Sequence, residues 1–178
     1  MKPFLDHNES LVRFSFVFNG TDKDLCFELI ETCIGHPNLE IIQFAEKSIK
    51  RVKIKEKNEE KSDENKGKKD KKKDKEEDHH EHRFEKQSAI SVARGIQVRL
   101  WQNSSLKILE LRYLPLTRQI LQALLKGLSK NKTLQKLVVA NNSLKQATAT
   151  EYNMLGDMLK VNEGLLWLDL SDNEGFDE

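Results

Sequence analysis

The chain has no long hydrophobic run. Nothing in it approaches the roughly 20 apolar residues that a bilayer-crossing helix needs. Its opening, MKPFLDHNES, contains no apolar stretch of the kind that directs secretion. No membrane partner is expected, and the cytoplasm is the expected compartment. Cysteine is scarce, with two in 178 residues, too few for a disulfide framework. Cys26 and Cys33 stand seven apart within a helical pattern, so they should share one buried face as reduced thiols. Net charge is nearly absent at +1, which gives no global field to draw nucleic acid or a membrane surface. There is no Gly-rich phosphate loop, no H-E-x-x-H, no G-x-S-x-G, and no Cys/His pair in a recognisable context. The expectation is therefore a protein that is not an enzyme, with no catalytic residue, no cofactor, no metal site and no small-molecule substrate.

What the chain does have in excess is charge gathered in one place. Residues 50–86 hold 15 of its 30 Lys/Arg and 12 of its 29 Asp/Glu. This run has few apolar residues and no periodic face, so it reads as a solvated, disordered insertion. Acid and base alternate through KKDKKKDK (Lys68 to Lys75), which weakens any attraction to phosphates. No aromatic lies between Arg51 and Arg83 to stack on bases. Nucleic acid is not the expected partner, although binding of RNA or an acidic protein through this run is one alternative. The lysines could also serve nuclear import. HHEH (His79 to His82) lacks structural-zinc spacing.

Around the insertion the chain repeats itself. LQKLVVANNSL (Leu134 to Leu144) places apolar residues at its first, fourth and sixth positions, Asn142 at the ninth and Leu144 at the eleventh. Copies begin at Leu106 (LKILELRYLPL) and Leu165 (LLWLDLSDN), with fainter ones at Leu11 (LVRFSFVFN) and Leu39 (LEIIQFAEK). A second pattern shares the phase. Six places before a first leucine stand Cys33, Leu100, Leu128 and Leu159; ten before, Leu29, Ile96, Leu124 and Leu155; thirteen before, Cys26, Ala93, Leu121 and Tyr152. Such spacings mark one face of a helix. Asn103, Asn131 and Asn162 fall three before their leucine, where the helix should end, and His36 takes that place in an earlier copy. Each unit thus predicts a short strand, a turn and a helix. The first leucines are 28, 67, 28 and 31 residues apart. The surplus in the second step puts the 50–86 insertion after the second strand and before the next helix, within one repeat array covering 1–178.

L-x-x-L-x-L-x-x-N-x-L is the pattern of a leucine-rich repeat. Units of about 28 residues with a full helix resemble the ribonuclease-inhibitor type. That resemblance implies an α/β solenoid, a horseshoe of about five strand–helix repeats with parallel strands on the concave face and helices on the convex one. The chain begins almost at a strand and stops eight residues after Leu170, so the array is expected to be incomplete at both ends.

In such a horseshoe the strand residues between the core leucines face the concave side. The partner-binding candidates are Arg13, Phe18, Gln43, Glu110, Arg112, Tyr113, Lys136, Asn141, Trp167 and Asp169, with Ser15, Glu46, Val138 and Asp172 on the same surface. Aromatics and arginines dominate binding hot spots, and mixed signs suit a protein surface better than a polyanion. The expected function is a non-catalytic scaffold that binds another protein through this face. GTPase-activating proteins for Ran share the architecture, which makes regulation of a small GTPase the alternative, but their activity residues have no match here.

Overall fold

The structure, a computed structural model, describes residues 8–18, 23–46, 89–142, 144 and 147–173. The 50–86 insertion, with its lysine run and its histidines, lies outside the described residues. So do Asn19 and Lys47, the ninth places of the first two repeats. Strands and helices alternate along the chain as β1 (Arg13–Phe18), α1 (Lys23–Ile34), β2 (Ile41–Glu46), α2 (described over 89–102), β3 (Ile108–Arg112), α3 (Arg118–Leu128), β4 (Lys136–Ala140), α4 (Ala149–Val161) and β5 (Trp167–Asp169). Among the described residues no helix is long and apolar enough to cross a membrane.

The strands form one five-stranded sheet in chain order, every neighbouring pair parallel. Phe14 pairs with Ile42, Ile42 with Leu109, Leu109 with Leu137 and Leu137 with Leu168. These are the fourth positions of the five repeats, so the phase of the sequence is the register of the sheet. Side chains alternate across a strand, and this register sends positions one, four and six of every unit to the same side. Leu39, Ile42, Phe44, Leu106, Leu109, Leu111, Leu134, Leu137 and Val139 are all at most 2% exposed there. The helices bring Cys33, Ile96, Leu100, Leu124 and Leu128 to the same core.

Both ends of this stack are thinner. Leu11, Phe14 and Phe16 at one end, and Leu165, Leu168 and Leu170 at the other, are only partly buried. Leu159 and Tyr152 share the helical phase of buried residues, yet they are 50% and 38% exposed. The reason is positional: their counterparts Leu128 and Leu121 are covered by a following unit, and no described element follows α4 on its open side.

The helix-to-strand turns are held by a ladder of side-chain amides. Asn103 Nδ2 donates to Ile34 O, Asn131 Nδ2 to Leu100 O and Asn103 O, and Asn162 Nδ2 to Leu128 O and Asn131 O. Each Oδ1 accepts from two backbone N–H groups of its own turn, such as Thr133 and Leu134 for Asn131. His36 substitutes through its ring, with Nε2 3.0 Å from Asn8 O and Nδ1 accepting from Asn38 N. The turns are tight as well as bonded. A Cβ on Gly164 would stand 2.6 Å from Lys132 O, a backbone atom. Gly164→Ala should therefore cost about 2 kcal/mol, measured as a lower denaturant midpoint.

Cys26 and Cys33 are both buried and unpaired. Burial pushes each thiol up to about 12, with the Glu46 charge adding to the effect at Cys26. Thiolate is the reactive form. Native protein at neutral pH should therefore resist alkylation by iodoacetamide and react fully once unfolded; fast native labelling would contradict the burial.

Candidate functional site

All four helices pack on one face of the sheet. The opposite face carries no helix among the described residues, and its side chains come from positions three, five and seven of each unit. Six of the residues singled out from the sequence meet here in a single network. Arg13 Nη2 and Ser15 Oγ donate to Gln43 Oε1 at 3.0 and 2.8 Å. Gln43 Nε2 donates to Glu110 Oε2 at 3.0 Å, and Lys136 Nζ donates to Glu110 Oε1 at 2.7 Å. Arg112 lies 3.9 Å from Glu110 and 3.7 Å from Asp169. Ser171 closes the chain by donating to Asp169 Oδ1 from both its N–H and its hydroxyl. The network runs unbroken from β1 to just past β5.

Its geometry follows from the register. Glu110, Val138 and Asp169 stand side by side on β3, β4 and β5. Arg112, on β3, therefore spans β4 to reach Asp169. Val138 lies between the two carboxylates and is 0% exposed, although it belongs to the face away from the helices. Burial works to raise the Glu110 carboxyl, but hydrogen bonds from Lys136 and Gln43, with the charges of Lys136 and Arg112, hold it below its usual range. Asp169 is lowered mainly by the two bonds from Ser171, with Arg112 and Lys136 contributing charge. A carboxylate so lowered and already bonded is a poor proton acceptor near neutral pH.

The eighth position divides the array. Tyr113, Asn141 and Asp172 hold φ of 59°, 58° and 55°, the left-handed region that side-chain-bearing residues rarely enter. The reversal ends the strand and directs the ninth residue inward. There Asn142 donates to Leu111 O and accepts from Leu114 N, while Asn173 donates to Val139 O and accepts from Asn142 N. Tyr113 is left 45% exposed on the rim, and Asn141 donates to Asp172 Oδ2.

Phe18 requires a correction. β1 stays extended through its eighth position, so Phe18 keeps the parity of Phe14 and Phe16 and turns toward the helices. Its ring stacks on Phe16 at 6.5 Å and packs against the core. Glu46, at the end of β2, shares that inward parity. Neither lies on the network face. No protein-family model matches the chain, and no curated protein matches it.

Trp167 is on the face and 62% exposed, in register with Lys136. The candidate surface is thus a saturated polar band with Trp167 and Tyr113 standing free at separate points. Ser15 and Ser171 complete the band. Ser171 occupies the seventh position of its unit, a place the candidate set drew on only for Arg112. Among the described residues no group of three or more His, Cys, Asp or Glu is placed to hold a metal ion.

Proposed function

We propose that the chain is a leucine-rich repeat array of the ribonuclease-inhibitor type, a horseshoe that binds another protein without catalysis through its helix-free strand face. The observation that carries this reading is the Arg13–Gln43–Glu110–Arg112–Asp169 network. Its side chains are fixed before any partner arrives, so little rotamer entropy is left to lose on association. Trp167 and Tyr113 then supply large, rigid contact area of the kind that anchors interfaces. Capture from cytosolic extract tests the reading, with three baits: the parent chain, a Tyr113→Ala/Trp167→Ala chain, and a chain lacking residues 50–86. Loss of the captured protein with the aromatic variant, and its retention by the deletion, is the expected result. The reverse pattern would move the binding to the charged insertion and sink the proposal.

A further inference from the structure

The two ends of the sheet differ, and the difference has a direction. At three of the four seams the side-chain amides of Asn103, Asn131 and Asn162 donate to carbonyls of the preceding unit, and at the first seam His36 Nε2 lies 3.0 Å from Asn8 O. Backbone groups follow the same sense. Glu40 and Ile41 donate to Val12 O, Lys107 and Ile108 to Glu40 O, Gln135 and Lys136 to Lys107 O, and Leu166 and Trp167 to Gln135 O. At this end of the strands each turn donates backward and accepts from the turn ahead, whereas at the far end Tyr113 N donates forward to Ala140 O and Asn141 N to Ser171 O.

In the last unit the carbonyls of Leu159, Asn162 and Leu166 hold the places of Leu128, Asn131 and Gln135. Among the described residues none of them receives the corresponding bond. In the first unit Asn8 stands three places before Leu11; its Oδ1 accepts from Ser10 Oγ at 3.0 Å, while Leu11 N donates to the Asn8 backbone carbonyl rather than to Oδ1. Its amide nitrogen has no acceptor among the described residues. Among the described residues, the turn groups of one end therefore present open acceptors and those of the other an open donor.

The apolar rows match as well. Leu11, Phe14 and Phe16 are partly buried on one end and Leu165, Leu168 and Leu170 on the other, at the same three repeat positions that are closed in the inner units. On the helix-free face, Arg13 and Ser15 occupy the repeat positions of Trp167 and Asp169.

We propose that the β5 edge of one molecule binds the β1 edge of a second copy in parallel, so that chains associate head to tail. Leu11, Phe14 and Phe16 of the second copy stack on Leu165, Leu168 and Leu170. Its Arg13 lies over the Trp167 indole beside Asp169, a cation on an aromatic face. Its Asn8 amide reaches the Leu159 and Asn162 carbonyls. Because the joined surfaces differ, the contact has no symmetry that closes it at two chains.

The test is light scattering on the whole 178-residue chain over a range of concentrations, with one block at each end. Ile41 N–H bonds to Val12 O, so alternation along β1 aims the Val17 N–H outward. Val17 is 67% exposed, and Val17→Pro removes that donor from the open edge. Trp167→Arg sets a cation against Arg13 of the incoming copy. The parent mass should climb with concentration beyond two chains. Each variant alone should stay at one chain, and an equimolar mixture should double and stop. Should Val17→Pro lose its cooperative melt, Arg13→Glu blocks the same edge by facing Asp169. The proposal is overturned by a parent that stays at one chain or stops at two. It is equally overturned if the β1-blocked variant dimerises alone, or if two cooperatively melting variants fail to combine.

Discussion

Replacing Asn131 with alanine should lower the unfolding free energy by about 4 kcal/mol, read as a shift in denaturant midpoint at unchanged slope. Asn131 is 2% exposed. Its amide gives hydrogen bonds to Leu100 O and Asn103 O and takes them from Thr133 N and Leu134 N. Alanine leaves these peptide groups without partners in a place water does not reach, at about 1–3 kcal/mol for each orphaned group before relaxation. Aspartate is the sharper test. It preserves the shape and the accepting oxygen but turns a second oxygen toward the Leu100 and Asn103 carbonyls. Asn131→Asp should be less stable than Asn131→Ala at neutral pH. The folded state of that variant binds the carboxyl proton more tightly than the unfolded state, so its deficit should shrink as pH falls. An aspartate variant as stable as the parent would show that the amide ladder holds nothing.

Glu151 should produce the second large effect. Its side chain is 0% exposed and lies 2.6 Å from Arg118 Nε. Gln122 Nε2 bonds the same oxygen, while Thr148 bonds the other through its N–H and its hydroxyl at 2.8 and 2.7 Å. The pair with Thr148 forms the capping box of α4. Burial raises the carboxyl, but these donors outweigh it and bring it from its ordinary 4.5 down to about 2. A depressed folded value means the stabilisation is complete above about pH 4.5 and is lost as pH falls toward 2. Glu151→Ala should cost about 3 kcal/mol at neutral pH, because it leaves the Arg118 guanidinium uncompensated and uncaps the helix. It should also flatten the acid limb of the stability profile between those two values. If the variant keeps the parent's acid slope, another carboxylate is responsible for it.

The sheet was legible because its determinants are periodic. Leucines at the first, fourth and sixth positions, and helical residues six and ten places before them, fixed the register from Phe14 to Leu168. The asparagines before the first leucines marked the turns that the ladder holds. The misplacement of Phe18 has a local cause. The eighth position faces outward only where the backbone turns left-handed, as at Tyr113, and no one-letter pattern separates that turn from one more extended residue in β1. Leu159 and Tyr152 were misjudged for the opposite reason: their own phase is correct, but burial depends on a neighbour beyond α4. On the helix-free face the sequence singled out Gln43, Glu110, Arg112 and Asp169 separately. Their union could not be read, since it depends on Arg112 extending over Val138. The Arg118–Glu151 pair was missed although T-A-T-E (Thr148 to Glu151) carries a capping-box spacing. Nothing along the chain indicates that a residue 33 positions away will share its carboxylate.

Strand order that follows chain order also bears on how the molecule assembles. Partners on β3 and β4 are 28 residues apart, whereas Gln43 and Glu110 on β2 and β3 are separated by 67. Loop-closure entropy grows only with the logarithm of length, so the longer connection adds about 0.8 kcal/mol to joining those strands. Contacts on either side of that joint are local and fast to form. Lengthening or shortening that connection is therefore expected to change the stopped-flow folding rate while leaving the native register alone.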